Sequence, residues 1–426
     1  MKVYFETFGC KVNVYETSAL VQMFLSAGFE RAESLEDTDV VIINSCTVTE
    51  NSDRKARAFV RKARTLVPNA VILLCGCFAQ AFPDKAQELH PDILMGTTDR
   101  NKAVAAVQDF LENREQKNLV HPFDSTSFEP LEAKELVEHT RAFLKIQDGC
   151  EKYCSYCAIP KARGPVRSMP LNEVRRQCET LVNNGYQEIV LCGINLSAYG
   201  NDLGSDLGDA VVVSNSIEGL ERIRLSSLEC DIMTDEMLSK FSKCDKFCPQ
   251  FHLSLQSGCD RTLHRMNRHY TSTEYMAICD KIRTLFDNPT FTTDIIVGFP
   301  GETEADFQES IDFCKKVGFL RAHVFPYSRR SGTMAYNMAD QIVRTEKEKR
   351  SKIMISELKK RSHEVMQSFV GHEARVILEQ TDGTSYSGYS DRYLPCRVYG
   401  NNLASKQIVA GTIIDIIDGE AILDLR

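Results

Sequence analysis

Gly149-Cys150-Glu151-Lys152-Tyr153-Cys154-Ser155-Tyr156-Cys157 is the stretch on which the reading of this chain turns. Its Cys-x3-Cys-x2-Cys spacing places three thiolates on one tight loop, close enough to hold three corners of an iron–sulfur cluster. Structural zinc takes four ligands in paired Cys-x2–4-Cys knuckles, and no second knuckle follows. Three ligands on a four-iron cube leave one iron open, and an open iron chelates small molecules that offer an amine and a carboxylate. Three buried or free cysteines on a loop is the weaker reading, because chance rarely gives this spacing directly after a strand.

Outward from that loop the pattern repeats strand, then helix. Strand-like runs fall at 142–147, 188–193, 222–227, 251–255, 291–298 and 320–325. Six such units over residues 140–366 predict an incomplete parallel (β/α)6 barrel, whose working face is the carboxyl-terminal rim of its strands. Cys150, Cys154 and Cys157 fall on that rim directly after the first strand. Gly193 and Asn195, Ser226 and Glu229, Gln256 and Ser257, Gly298 and Gly301, and Tyr327 follow the later strands. Ser257, Gly298 and Gly301 can equally serve turn geometry alone.

Before the barrel, residues 1–112 alternate short apolar runs with amphipathic segments. Strands are expected at 2–8, 40–44 and 70–76, with a helix carrying Ala19, Leu20, Met23, Phe24 and Ala27 and closed by Gly28. This βαβα order predicts a parallel, Rossmann- or flavodoxin-like sheet, whose functional edge lies beyond the carboxyl ends of the strands. Cys10, Cys46 and Cys77 sit at those ends. Each alone reads as a small core residue; their shared position raises a second three-thiolate site. Cys75 competes with Cys77, and Cys77 is preferred because Gly76 lets the backbone turn there. An amphipathic helix over 53–67 sets Arg54, Arg57, Arg61 and Arg64 opposite an apolar stripe. Alone it is a solvated face; its place just after Cys46 fits it to position an RNA backbone.

The remaining segments are less chemical. Residues 113–139 lose periodicity and read as a linker with some local helix. Residues 344–364 form a charged helix with eight Lys/Arg against four Glu. Residues 370–426 carry five short alternating runs with Gly and Asn between them, which predicts a small closed β-barrel. The whole chain is thus read as an α/β protein of three domains, as its 426 residues allow at about 150 per domain. No run approaches the roughly 20 apolar residues of a membrane helix, and residues 1–10 lack the basic start and apolar core of a secretory signal. Sixteen cysteines in such a chain point to a reducing compartment and to metal or redox chemistry. The expected location is therefore cytoplasmic. A net charge of −8 leaves any RNA binding to local basic patches.

The cluster loop, with Tyr156 just before its last Cys, resembles the radical S-adenosylmethionine superfamily. The two cysteine triads, the barrel and the terminal β-barrel together resemble its methylthiotransferase family. Pro160-Lys161-Ala162-Arg163-Gly164, Leu255-Gln256-Ser257-Gly258, Ile296-Val297-Gly298-Phe299-Pro300-Gly301-Glu302 and Pro326-Tyr327-Ser328-Arg329-Arg330-Ser331-Gly332-Thr333 fit it as well. Gly9-Cys10-Lys11-Val12-Asn13, with Tyr15-Glu16-Thr17, is most similar to the branch acting on threonylcarbamoyladenosine.

The resemblance implies two 4Fe-4S clusters, on Cys10, Cys46 and Cys77 and on Cys150, Cys154 and Cys157. It also implies S-adenosylmethionine near Tyr156, Gly193, Asn195, Ser226, Glu229, Gln256 and Tyr327. The implied reaction adds a methylthio group to C2 of N6-threonylcarbamoyladenosine at position 37 of tRNA. The implied partners are the tRNA anticodon stem-loop, an electron donor such as flavodoxin or ferredoxin, and a sulfur donor. The terminal barrel is similar to the RNA-binding TRAM domain, although five Lys/Arg against eight Asp/Glu leave it three negative. Met169 stands where the family often has Arg, so no substrate role is expected there. The rival readings are the same chemistry on isopentenyladenosine or on a ribosomal-protein aspartate, a non-catalytic iron–sulfur protein that binds RNA or carries electrons, and a zinc module. The decisive expectation is that the two triads face each other across a domain junction.

Overall fold

A computed structural model describes residues 1–123, 127–133 and 140–425. In the amino-terminal part, β1 (Lys2–Thr7), β2 (Glu30–Arg31), β3 (Val40–Ser45), β4 (Val71–Gly76), β5 (Ile93–Met95) and β6 (Lys117–Leu119) form one parallel sheet in the order β2-β1-β3-β4-β5-β6. Helices α1 (Lys11–Ser26), α2 (Glu50–Leu66), α3 (Cys77–Ala81), α4 (Pro83–Gln87) and α5 (Ala103–Asn113) connect its strands. β3 and β4 are buried along their whole lengths. Their side chains divide between two apolar clusters, Ile42 and Leu73 in one, Val41 and Leu74 in the other. A strand buried on both faces reads as a continuous apolar run, which is why these two were visible in the sequence.

The region expected to be a linker, 113–139, is corrected in part. Its residues 117–119 are β6, paired in parallel with β5, so the amino-terminal sheet continues past residue 112. Leu131 and Ala133 are buried, and the Leu131 carbonyl accepts from Tyr15 and from Gln177 Nε2. Residues 124–126 and 134–139 of that region lie outside the described residues.

The barrel strands are β7 (Ala142–Lys145), β10 (Glu188–Cys192), β11 (Arg222–Leu225), β12 (Gln250–His252), β13 (Thr290–Val297) and β14 (Arg321–Pro326); a small antiparallel pair, β8 (Gln147–Asp148) and β9 (Arg167–Ser168), lies beside the cluster loop. They pair as β11-β10-β7 and β12-β13-β14, all in parallel, and isolated bridges at Ile223–Phe247 and Leu228–Leu253 join the halves. This is the six-stranded open barrel that the sequence predicted. β14 lies at its open edge, with Arg321, His323 and Phe325 exposed.

Helices α6 (Ile159–Arg163), α7 (Leu171–Asn183), α8 (Leu207–Asn215), α9 (Asp235–Ser242), α10 (Asp260–Arg265), α11 (Ser272–Leu285) and α12 (Glu304–Val317) follow the strands, and α13 (Arg344–Gln367) leads out of the barrel. Their ends follow local chemistry. Thr303 and Asp306 close a capping box on α12, and Gly318, at φ +75°, ends it.

The carboxyl-terminal part is a closed barrel of β15 (Glu373–Thr381), β16 (Tyr386–Ser390), β17 (Pro395–Val398), β18 (Ile408–Ile417) and β19 (Glu420–Leu425), ordered β15-β16-β17-β19-β18. It docks on the amino ends of the barrel strands, opposite the rim. Arg222, which opens β11, donates to the Ser390 carbonyl at 2.8 Å, and Arg224 reaches the Asp391 carbonyl at 3.1 Å. Both arginines are buried and share Glu188.

Candidate active site

β1, β3 and β4 are neighbours in the sheet, so their carboxyl ends stand side by side at the spacing of roughly 4.8 Å between paired strands. Cys10 follows β1 at the start of α1, Cys46 follows β3, and Cys77 opens α3 after β4. The reversals are tight enough to demand glycine. Gly9 and Gly76 have φ of +127° and +95°, and a Cβ at Gly76 would lie 2.4 Å from the Ser45 carbonyl oxygen. Val48 N–H donates to Cys46 Sγ at 3.4 Å, and Arg163 Nε donates to Cys77 Sγ at 3.1 Å. Burial, reinforced by the Cys77 thiol, pushes the Cys46 thiol up to about 12. Such thiols become thiolates when a metal supplies positive charge. Cys75 lies within β4, wholly buried among Ile42, Leu73 and Ile93.

The second triad is on the loop after β8. Cys157 N–H donates to the Cys154 carbonyl at 3.0 Å, which folds the last four residues into a turn. Ile159 N–H donates to Cys157 Sγ at 3.4 Å, and Arg268 Nη1 to Cys154 Sγ at 3.3 Å. Burial, then the neighbouring Cys154, pushes Cys157 up to about 12; burial pushes Cys150 up to about 11. Two ligands of one zinc ion stand no more than about 4.6 Å apart, twice the ~2.3 Å Zn–S bond. Among the described residues neither triad brings its three sulfurs within 4.8 Å of one another. That spacing is too wide for three ligands of one zinc ion.

The two domains that carry the triads meet at one junction. α6 begins two residues after Cys157, and its last residue, Arg163, reaches Cys77 in the other domain. Arg163 is fully buried, and its Nη1 and Nη2 hold Glu16 at 2.5 and 3.0 Å. Glu16 also takes Arg100 at 3.0 Å and Lys145 at 2.8 Å. Burial pushes the Glu16 carboxyl up, but Arg100, Arg163 and Lys145 outweigh it and hold it down at about 2. Asp148 pairs with Lys145, Arg163 and Arg167. Four cations thus face two carboxylates beside Cys77, a surplus of two positive charges suited to thiolates and an anionic cluster. A separate contact across the junction joins Arg330 Nη2 to Asp53 Oδ2 at 2.8 Å and to Thr47 Oγ1 at 2.7 Å, just past Cys46.

The rim residues divide. Asn195 Oδ1, Ser226 Oγ and Tyr327 OH are buried polar atoms with no protein partner among the described residues, which marks them for a bound polar molecule. Gln256, at φ +69°, lines a small cavity of about 160 Å³ with Tyr156, Tyr327 and Thr49. Backbone held in that region, away from glycine, is strain of the kind stored at functional sites. Glu229 is engaged by Arg268, whose Nη1 lies 3.2 Å from its Oε1. Gly193 has a packing reason: a Cβ there would stand 2.7 Å from Gln147 Oε1.

Likeness to known proteins adds the family. Residues 144–314 match the Radical SAM superfamily, and residues 2–96 match a family described as Uncharacterized protein family UPF0004. "Threonylcarbamoyladenosine tRNA methylthiotransferase MtaB" of Bacillus subtilis is 38% identical over 92% of this chain and 89% of its own length. The chain belongs to the radical S-adenosylmethionine methylthiotransferase family. A second methylthiotransferase relative, "tRNA-2-methylthio-N(6)-dimethylallyladenosine synthase" of Clostridium perfringens, is 34% identical over 90% of this chain and 88% of its own. The radical S-adenosylmethionine methyltransferase TsrM from Kitasatospora setae, solved with cobalamin and a [4Fe-4S] cluster, shares the fold. Its TM-score is 0.58 at 14% identity, over 78% of this chain and 76% of that one. Methylthiotransferases of this family use S-adenosylmethionine and two 4Fe-4S clusters. No described helix is long and apolar enough to cross a membrane.

Four residues of this candidate site have roles that the sequence did not reveal. Arg268 bridges Cys154 and Glu229 from a turn with no motif around it. Arg163 and Arg330 lie in motifs of the family, but only the fold shows that each bonds across the junction. Glu16 likewise lies in a family signature, and only the fold shows that it pairs with Lys145 and Arg163 across the junction.

Proposed function

We propose that this chain transfers a methylthio group to C2 of N6-threonylcarbamoyladenosine at position 37 of tRNA, in the cytoplasm, with an electron donor and a sulfur donor. The observation that carries the reading is a junction between two domains that each carry three strand- or loop-end cysteines, beside a rim of unpartnered polar atoms. The relative named for threonylcarbamoyladenosine supports the branch, at 38% identity against 34% for the one named for dimethylallyladenosine. When bound, the clusters and S-adenosylmethionine supply one-electron reduction, sulfur and a methyl group.

The chain does the rest. Cys10, Cys46 and Cys77 hold one cluster and Cys150, Cys154 and Cys157 the other. N–H groups of Val48, Ile159, Arg163 and Arg268 steady four of the six sulfurs as thiolates. Asn195, Ser226 and Tyr327 receive polar groups of S-adenosylmethionine, with Tyr156 and Gln256 walling the cavity beside them. Glu229 acts through Arg268 as a positioning residue. The target base leaves its stack to reach this depth, as bases do in enzymes that act on them.

Nucleoside mass spectrometry of tRNA from cells lacking the protein tests the proposal. The methylthio group should disappear from threonylcarbamoyladenosine, with isopentenyladenosine derivatives unchanged. The opposite pattern would move the chain to the other branch.

A further inference from the structure

Above the small cavity lies a larger cleft of about 720 Å³, between α2, the end of β14 and the start of α13. Arg54, Arg57, Arg329, Arg344 and Lys347 line it against Glu50 and Glu348, a surplus of three positive charges in a chain whose net charge is −8. Arg344 is neutralised by Glu348 at 2.6 Å. Among the described residues no carboxylate lies within 4 Å of Arg329 or Lys347. Arg329 uses Nε on the Tyr336 carbonyl at 2.8 Å and stacks on that ring, which leaves both Nη groups without a protein partner among the described residues. Lys347 is half-buried and donates to the Tyr327 carbonyl at 3.0 Å. Burial, and then the charge of Arg329, disfavours its ammonium form. Two cations held together without an anion are unfavourable until one arrives.

We propose that Arg329 and Lys347 form the subsite for the carboxylate of the threonylcarbamoyl group. The inference rests on the threonylcarbamoyladenosine reading and adds its specificity determinant. Thr49, Phe325, Pro326, Tyr327 and Ser328 line both the cleft and the small cavity, so the two compartments adjoin. Val48, Ile296, Phe325, Pro326 and Tyr156 wall the inner one, which suits a flat base; Asp294 lines it too, with Arg330, whose charge Asp53 already takes. The charged N6 substituent of that base then belongs in the wider, cationic compartment. Arg329 and Lys347 flank Tyr327, the shared wall, whereas Arg54 and Arg57 stand on α2 across the cleft and suit the phosphates that follow. A neutral isopentenyl group would leave the pair without its anion.

The test uses the reconstituted holoenzyme and two stem-loop RNAs, one with threonylcarbamoyladenosine and one with its threonyl carboxylate replaced by a primary carboxamide. The carboxamide should raise KM about tenfold, equivalent to roughly 1.4 kcal/mol, with kcat held. Arg329→Gln and Lys347→Gln should raise KM similarly on the carboxylate RNA but little on the carboxamide RNA. Arg329→Lys and Lys347→Arg, which keep the charge, should recover most of the loss. Equal losses on both RNAs would mean phosphate binding or a structural role, and would overturn this subsite alone. No product from either RNA, with product from an isopentenyladenosine stem-loop, would overturn the parent reading too.

Discussion

Arg163 shows how one side chain serves two domains. It closes a five-residue helix in the barrel, yet its Nε bonds Cys77 and its Nη groups bond Glu16 in the other domain. Replacing it with Met would leave Glu16 and Asp148 with fewer cations and Cys77 without its donor. Removing one partner of a buried ion pair costs about 3–5 kcal/mol. We expect Arg163→Met, reconstituted anaerobically, to retain iron at the barrel triad and lose it at the amino-terminal one. Mössbauer spectra would count the two clusters, and an unchanged pair would refute this role. The choice of Cys77 over Cys75 is tested in the same assay: Cys77→Ser should lose one cluster and Cys75→Ser neither, because Cys75 is buried within the sheet. At this scale the six cysteines were legible because their spacing and strand-end positions are local. Arg163, Arg268 and Glu16 were not, since their partners lie 86, 114 and up to 147 residues away.

Among the elements, α2 reads in sequence as a solvated basic face whose place after Cys46 also fits an RNA backbone, and its roles are divided. Thr49 caps it by accepting from Ser52 N–H. Arg64 is engaged by Asp92 at 2.9 Å. Asp53, in the first turn, is the docking point for Arg330, while Arg54 and Arg57 line the cleft. Asp53→Ala strands the buried Arg330 guanidinium, so it should destabilise the protein by about 3–5 kcal/mol, seen as a lower urea midpoint with an unchanged slope. Hydrogen exchange should quicken first around 46–53; a uniform change, or none, would mean that the Arg330 bond does not hold this loop. The long elements were readable because period and caps announce them. β2, β5 and β6 were missed: two or three residues carry no period, and each is a strand only because a neighbour pairs with it.

For the molecule as a whole, charge placement decides where RNA can lie. The carboxyl-terminal barrel was legible from its alternating runs and glycines, but its docking side was not, because that depends on Arg222, Arg224 and Glu188 at the far end of the barrel strands. It sits opposite the rim, and its cations among the described residues are already engaged. Arg375 pairs with Glu221, Arg392 with Asp391, and Arg397 with both Asp382 and Glu420. Lys406 lies over the Tyr186 ring at 5.1 Å. The cleft at the rim instead keeps Arg54 and Arg57 without a carboxylate within 4 Å among the described residues. Removing one cation that neutralises a phosphate should lower the slope of log K against log salt by about one. For a stem-loop RNA, Arg54→Ala with Arg57→Ala should therefore flatten that slope by about two and weaken binding at low salt. Arg397→Ala with Lys406→Ala should leave both unchanged. If the second pair flattens the slope and the first does not, the RNA lies across the terminal barrel, and its path to the rim must run around the molecule rather than over α2.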